Sequence, residues 1–150
     1  MKIKSLLVTG AVAAAMTPMF AASAEAATAP VAQAAPAVQA VNAVAVADAD
    51  VPKIAKMPCI STRGSKACFK AKGDKIYVLD TKKDGYRAVS SWYTSYGRKG
   101  TCHNPLGKGK WGVCNYNMKE GKEIWWLATR ADGETQKEIF PRSGLLKARI

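Results

Sequence analysis

Glu123-Ile124-Trp125-Trp126-Leu127-Ala128-Thr129-Arg130 is the stretch whose pattern decides the fold class of this chain. Successive side chains of a strand point to opposite faces. Ile124, Trp126 and Ala128 therefore share one face, and Trp125 and Leu127 share the other. Both faces are apolar, as in a strand covered on two sides. Trp92 and Tyr93 repeat the pattern, so up to one aromatic of each pair is left for the outside, the alternative being that both serve core or edge packing. Working outward, turn signals recur at short spacing: Gly73-Asp74, Asp84-Gly85, Gly97 to Gly100, Gly107 to Gly109, Glu120-Gly121 and Asp132-Gly133. Between them the β-branched and aromatic runs predict strands over 67–71, 75–80, 86–95, 111–117, 123–130 and 135–140. This rhythm predicts an all-β fold, a small antiparallel β-sandwich or barrel. Asp84-Gly85 and Asp132-Gly133 read as hairpin turns, since Gly tolerates the positive φ that such turns need. Residues 142–150 give no clear pattern.

The N-terminal third has a different grammar. Lys2 and Lys4 precede an uncharged apolar run from Leu6 to Phe20, followed by small residues at Ala-x-Ala spacing. That is the pattern of a secretory signal peptide, expected over residues 1–26, with cleavage after Ala24 as the alternative. The apolar run is broken by Thr9, Gly10, Thr17 and Pro18 and is shorter than the roughly 20 residues of a spanning helix. Residues 27–52 hold 11 Ala, 6 Val and 3 Pro, with no aromatic, Leu or Ile. Such a segment has little bulk for a core and reads as a flexible spacer. The remaining residues, 53–150, are expected to form one cationic β domain. They carry 21 basic and 8 acidic residues, a net +13. That balance favours an anionic partner, a polymer or an acidic protein surface, or serves solubility alone.

An exported address makes the four cysteines candidates for disulfides. Cys59 and Cys68 flank one short loop, and Cys102 and Cys114 flank another. Of three possible connectivities the local one, 59–68 with 102–114, is the simplest. Each such loop would contribute roughly 2–3 kcal/mol by chain entropy. Zinc is disfavoured, because the spacings lack the close Cys pair of zinc knuckles. The stretches Gly97-Arg98-Lys99-Gly100-Thr101-Cys102-His103-Asn104 and Gly107-Lys108-Gly109-Lys110-Trp111-Gly112-Val113-Cys114, after an Asp-Gly turn and a Trp strand, resemble small secreted disulfide-containing β proteins of Streptomyces and related actinobacteria. The resemblance covers about Gly73 to Ala128. It implies fold and secretion, and it carries no activity or catalytic residues.

Catalytic signatures are thin. His103 is the single histidine and is expected to be exposed in a loop beside a disulfide. Candidate carboxylates Asp80, Asp84, Glu120 and Glu123 lie mostly at turns. No phosphate loop, zinc helix or calcium loop is present in the sequence, and no cofactor or metal is expected. The residues favour a non-enzymatic binding module for an anionic envelope or extracellular polymer. Lys99, Lys108, Lys110, Trp111 and Trp125 are the candidate contacts, lysines to neutralise charge and indoles to stack. Alternatives are a protein-binding module, such as a proteinase inhibitor or toxin-like effector presenting the loop 105–110, and a small hydrolase dependent on His103. No specific nucleic-acid recognition is expected.

Overall fold

The computed structural model describes residues 38–150. The signal peptide expected over 1–26 and the first part of the spacer lie outside them. The described chain is mostly strand: β1 Gln39–Asn42, β2 Val44–Ala45, β3 Cys59–Thr62, β4 Ser65–Lys70, β5 Lys75–Asp80, β6 Tyr86–Thr94, β7 Lys99–Asn104, β8 Trp111–Asn115, β9 Glu123–Asp132, β10 Glu138–Ile139 and β11 Leu146–Arg149. A 3-10 turn at Asp48–Asp50 runs into the single short helix among them, α1 Val51–Ile54.

Two sheets form. One has the order β1-β7-β6-β9-β10, with β11 also on β9, and the other has the order β2-β8-β5-β4-β3. Pairing is antiparallel throughout except β1 on β7, which is parallel. The longest strands, β6 and β9, lie side by side from Tyr86↔Asp132 to Thr94↔Ile124. Their alternation is the one read from sequence. Ile124, Trp126, Ala128, Ala88 and Trp92 are buried and face the other sheet, while Tyr93 is 42% exposed. Phe69, Ile76 and Val78 meet them from β4 and β5, with the Phe69 and Trp126 rings 5.5 Å apart. Full burial of such side chains contributes about 1.5–3 kcal/mol each.

Both expected disulfides are present. Cys59–Cys68 links directly opposed residues of the β3–β4 hairpin. Cys102–Cys114 joins β7 of one sheet to β8 of the other through the buried core, at 0% and 1% exposure.

Three expectations change. First, the folded unit begins before residue 53. The segment expected as a flexible spacer is strand from Gln39, and it crosses from one sheet to the other at Ala43. Ala43 N–H donates to His103 O at 2.7 Å and Val46 N–H donates to Trp111 O at 3.1 Å. The missing bulk is compensated by two glycines. A Cβ at Gly100 would meet Gln39 O and the Trp92 ring at 2.6 Å, and one at Gly112 would meet Ala43 Cβ at 2.6 Å. The segment thus lies in a track cut to backbone width. Second, Asp84-Gly85 is no hairpin, because β5 and β6 belong to different sheets. It is a corner, where Asp84 Oδ2 accepts from Arg130 Nη1 at 2.7 Å with both side chains nearly buried. Asp132-Gly133 does join the antiparallel pair β9 and β10, through a longer loop in which Asp132 Oδ1 accepts from the Glu134 and Thr135 amides. Third, β3, β7 and β11 add to the strands expected, and the strand expected over 135–140 shortens to Glu138–Ile139. Among the described residues no helix is long and apolar enough to cross a membrane.

Candidate functional site

The outer face of the five-stranded sheet is partly covered by the chain after β2. Ile54 of α1 is fully buried there, packed with Cys68 and Tyr77 and bordered by Val46, Met57, Trp111 and Val113. Beside this cover lies a cleft of about 850 Å3. Ala45, Val51 and Pro52 form one wall, Leu79 and Trp111 another, and the loop Lys108–Lys110 a third. Leu79 and Trp111 are register partners, so they stand side by side.

The loop after β7 is braced from inside. Asn104 is fully buried. Its Nδ2 donates to Val78 O and Lys110 O, both at 2.8 Å, and its Oδ1 accepts from Leu106 N–H at 3.0 Å. Gly109 N–H donates to Asp80 O at 2.7 Å. The loop is therefore held through side-chain and backbone hydrogen bonds as well as by the Cys102–Cys114 bridge beneath it. Lys108 and Lys110 project exposed from this frame, and neither makes an ion pair among the described residues.

Two carboxylates, Asp48 and Asp80, also line the cleft. Asp80 is 4% exposed and accepts the Lys82 amide at 2.9 Å. Burial raises its pKa above the usual value, with Asp84 adding to the rise and the Lys82 amide and Lys108 opposing it. Asp50, on the same cover, is held below the usual carboxylate range by the hydrogen bond and charge of Lys53, with Lys70 and Lys75 adding.

Lys108, Lys110 and Trp111 are thus brought together, and Lys99 and Trp125 are not with them. Those two lie on the outer face of the six-stranded sheet. Tyr93 pairs across the strands with both Lys99 and Trp125. The Tyr93 and Trp125 rings stack 5.1 Å apart at an interplanar angle of 8°. Lys147 lies over the Trp125 ring at 5.3 Å and pairs with Glu123. One rung along, Thr101 and Ser91 are paired, and Ser91 Oγ donates to Glu138 Oε1. Glu138 Oε2 pairs with Arg142. Tyr93, Lys99, Ser91, Thr101, Glu138 and Arg142 edge a groove of about 490 Å3, and Trp125 and Lys147 lie outside it.

His103 is no exposed loop residue. It is 4% exposed on β7, with Nε2 3.1 Å from Thr101 Oγ1 and Nδ1 buried without a partner among the described residues. Burial, and then the Arg87 charge, lowers its pKa, against the pull of Glu138. Among the described residues no three His, Cys, Asp or Glu side chains gather as a metal site.

Sequence reading did not single out Asn104, Ser91, Glu138 or Arg142. Glu138 and Arg142 stand four apart, but on a strand end and the loop after it, where that spacing carries no signal. Asn104-Pro105 marks a turn, and Leu106 N–H is the local partner of Asn104, but its bonds to β5 and to the far end of its own loop leave no mark in the sequence. No family model, no curated protein and no solved structure matches the chain.

Proposed function

We propose that the chain is an exported, non-enzymatic binding module whose Lys108–Lys110–Trp111 cleft takes an anionic envelope or extracellular polymer. The observation that carries this reading is the braced loop, which holds two exposed lysines that make no ion pair among the described residues, beside a partly exposed indole. Ammonium groups neutralise phosphate or carboxylate, and an indole face packs on the apolar side of a sugar ring. A loop fixed before binding loses little conformational freedom when the ligand arrives. The two disulfides and the charged-then-apolar leader support an oxidising, extracytoplasmic address.

The test is binding of the purified protein to isolated wall polymer at low and physiological salt. Lys108→Glu with Lys110→Glu weakens binding at least tenfold more than Lys119→Glu with Lys122→Glu, an exposed pair outside the cleft. Folding, followed by circular dichroism, survives both, because exposed substitutions shift stability by within about 0.5 kcal/mol. Equal losses would mean that net charge alone drives association over the roughly 8–10 Å reach of screened electrostatics. The same braced loop supports one second reading, a proteinase-binding loop. No polymer binding by the wild type, together with stoichiometric inhibition of a trypsin-like enzyme that is lost in Lys108→Ala or Lys110→Ala, would replace the first reading by the second.

A further inference from the structure

We infer that the groove on the outer face of the six-stranded sheet is a separate binding site for a phosphorylated sugar, its phosphoryl group held between Arg142, Lys99 and Thr101 and its ring laid on Tyr93. This site shares no residue with the Lys108–Trp111 cleft and stands or falls independently of it.

The donors around the groove all point to an anion. Both oxygens of Glu138 are engaged, Oε1 by the Ser91 hydroxyl and Oε2 by Arg142. The carboxylate therefore acts as a strut that holds Arg142 over the groove. A guanidinium carries five N–H groups, so its pairing with one carboxylate oxygen leaves donors for a ligand. Its plane is steadied by the Phe140 ring, 5.0 Å away. Lys99 is exposed and has no carboxylate partner among the described residues.

The third donor follows from His103. Its Nδ1 is buried with nothing to bond among the described residues. An orphaned buried N–H is rarer in proteins than an under-satisfied acceptor, so the ring proton belongs on Nε2. Nε2–H then donates to Thr101 Oγ1 at 3.1 Å. The Thr101 hydroxyl proton is left to point into the groove, which Thr101 lines. Guanidinium, ammonium and hydroxyl together suit a compact oxyanion, and Arg in particular matches phosphate geometry.

The ring follows from the aromatic pair. One face of Tyr93 is covered by Trp125. Tyr93 nevertheless remains 42% exposed and lines the groove next to Lys99. It offers an amphipathic surface for a sugar beside the anion site. A volume of about 490 Å3 lies in the range of small-ligand sites.

The probes are ribose 5-phosphate, inorganic phosphate and ribose, titrated calorimetrically into the full chain. Ribose 5-phosphate binds saturably and at least tenfold tighter than either other probe. Arg142→Gln, Lys99→Gln and Thr101→Val each weaken it, the two charge changes about tenfold, as expected for a charge-assisted hydrogen bond. Tyr93→Ala weakens ribose 5-phosphate and leaves inorganic phosphate unchanged. Lys147→Gln, on the same face but outside the groove, changes nothing, and neither does Lys108→Glu with Lys110→Glu. Absence of saturable binding by the wild type overturns the site. So does an equal loss in Lys147→Gln, which would report net charge. Inorganic phosphate binding as tightly as ribose 5-phosphate, or losing as much in Tyr93→Ala, overturns the assignment of the sugar. Circular dichroism confirms that each variant is folded.

Discussion

At the scale of single residues, His103 couples the fold to pH. A second proton would create a buried Nδ1–H with no acceptor and a charge near Arg87. Burial and Arg87 accordingly depress its pKa from the ordinary 6.5, with Glu138 opposing. The unfolded chain keeps the ordinary value, so it binds the proton that the native state refuses. Stability is then full above about pH 6.5 and falls as pH drops below it, by at most about 1.4 kcal/mol per pH unit for one group. Asp80 acts with the opposite sign and at lower pH, since its raised pKa lets the native state take up a proton first. Urea midpoints measured from pH 7.5 down to 5.5 isolate the histidine, the single one in the chain. The midpoint falls in the wild type and stays nearly flat in His103→Gln. Equal slopes in both proteins would mean that another group is responsible. Little in the local residue pattern hints at this role. Gly97 to Gly100 reads as a turn, and a polar Thr-Cys-His-Asn run carries no apolar alternation, so His103 reads as loop although it lies on a central strand.

At the scale of elements, the β1–β2 segment shows which strands a sequence reveals. β6 and β9 announce themselves through aromatic alternation, because side-chain burial holds them. β1 and β2 are Ala- and Val-rich with exposed Val44, and buried Ala43 is their main core contribution. Backbone hydrogen bonds and the absence of a Cβ at Gly100 and Gly112 hold them in place, and neither leaves a periodic signature. Gly112→Ala puts its methyl 2.6 Å from Ala43 Cβ and 3.1 Å from the Asn104 amide. Overpacking of this kind costs about 1–3 kcal/mol. Ala43→Gly removes the closer of the two clashes, so Gly112→Ala costs markedly less in that background. A double-mutant cycle by urea denaturation checks the coupling, and strict additivity would mean that the two positions do not share the track. The candidate sites divide in the same way. Lys108, Lys110 and Trp111 are near neighbours in sequence and were legible as a unit. Ser91, Thr101, Glu138 and Arg142 are assembled by strand pairing across some fifty residues, which spacing alone does not show.

At the scale of the whole molecule, the charge of the folded unit changes once β1 and β2 join it. Asp48 and Asp50 now belong to it, so residues 38–150 carry 21 basic and 10 acidic residues, a net +11. The two candidate sites sit on the outward faces of different sheets, while the core between the sheets is closed to solvent. One bond ties those sheets covalently. Cys102–Cys114 is buried at 0% and 1% exposure, and Val41 O of β1 lies 3.6 Å from Cys114 Sγ. Cys59, by contrast, is partly exposed. Thiolate attack needs access to a sulfur, which gives the inter-sheet bridge a use as a clock. A reductant opens Cys59–Cys68 promptly, whereas it reaches Cys102–Cys114 only when the N-terminal strand lifts from its track. With dithiothreitol, timed alkylation and mass spectrometry show two separated phases, and Gly112→Ala hastens the second phase alone. Simultaneous reduction of both bridges in the native protein would show that the strand does not guard the seam. Where the phases separate, the lag of the slower one measures how often this protein loosens its own N-terminal clasp.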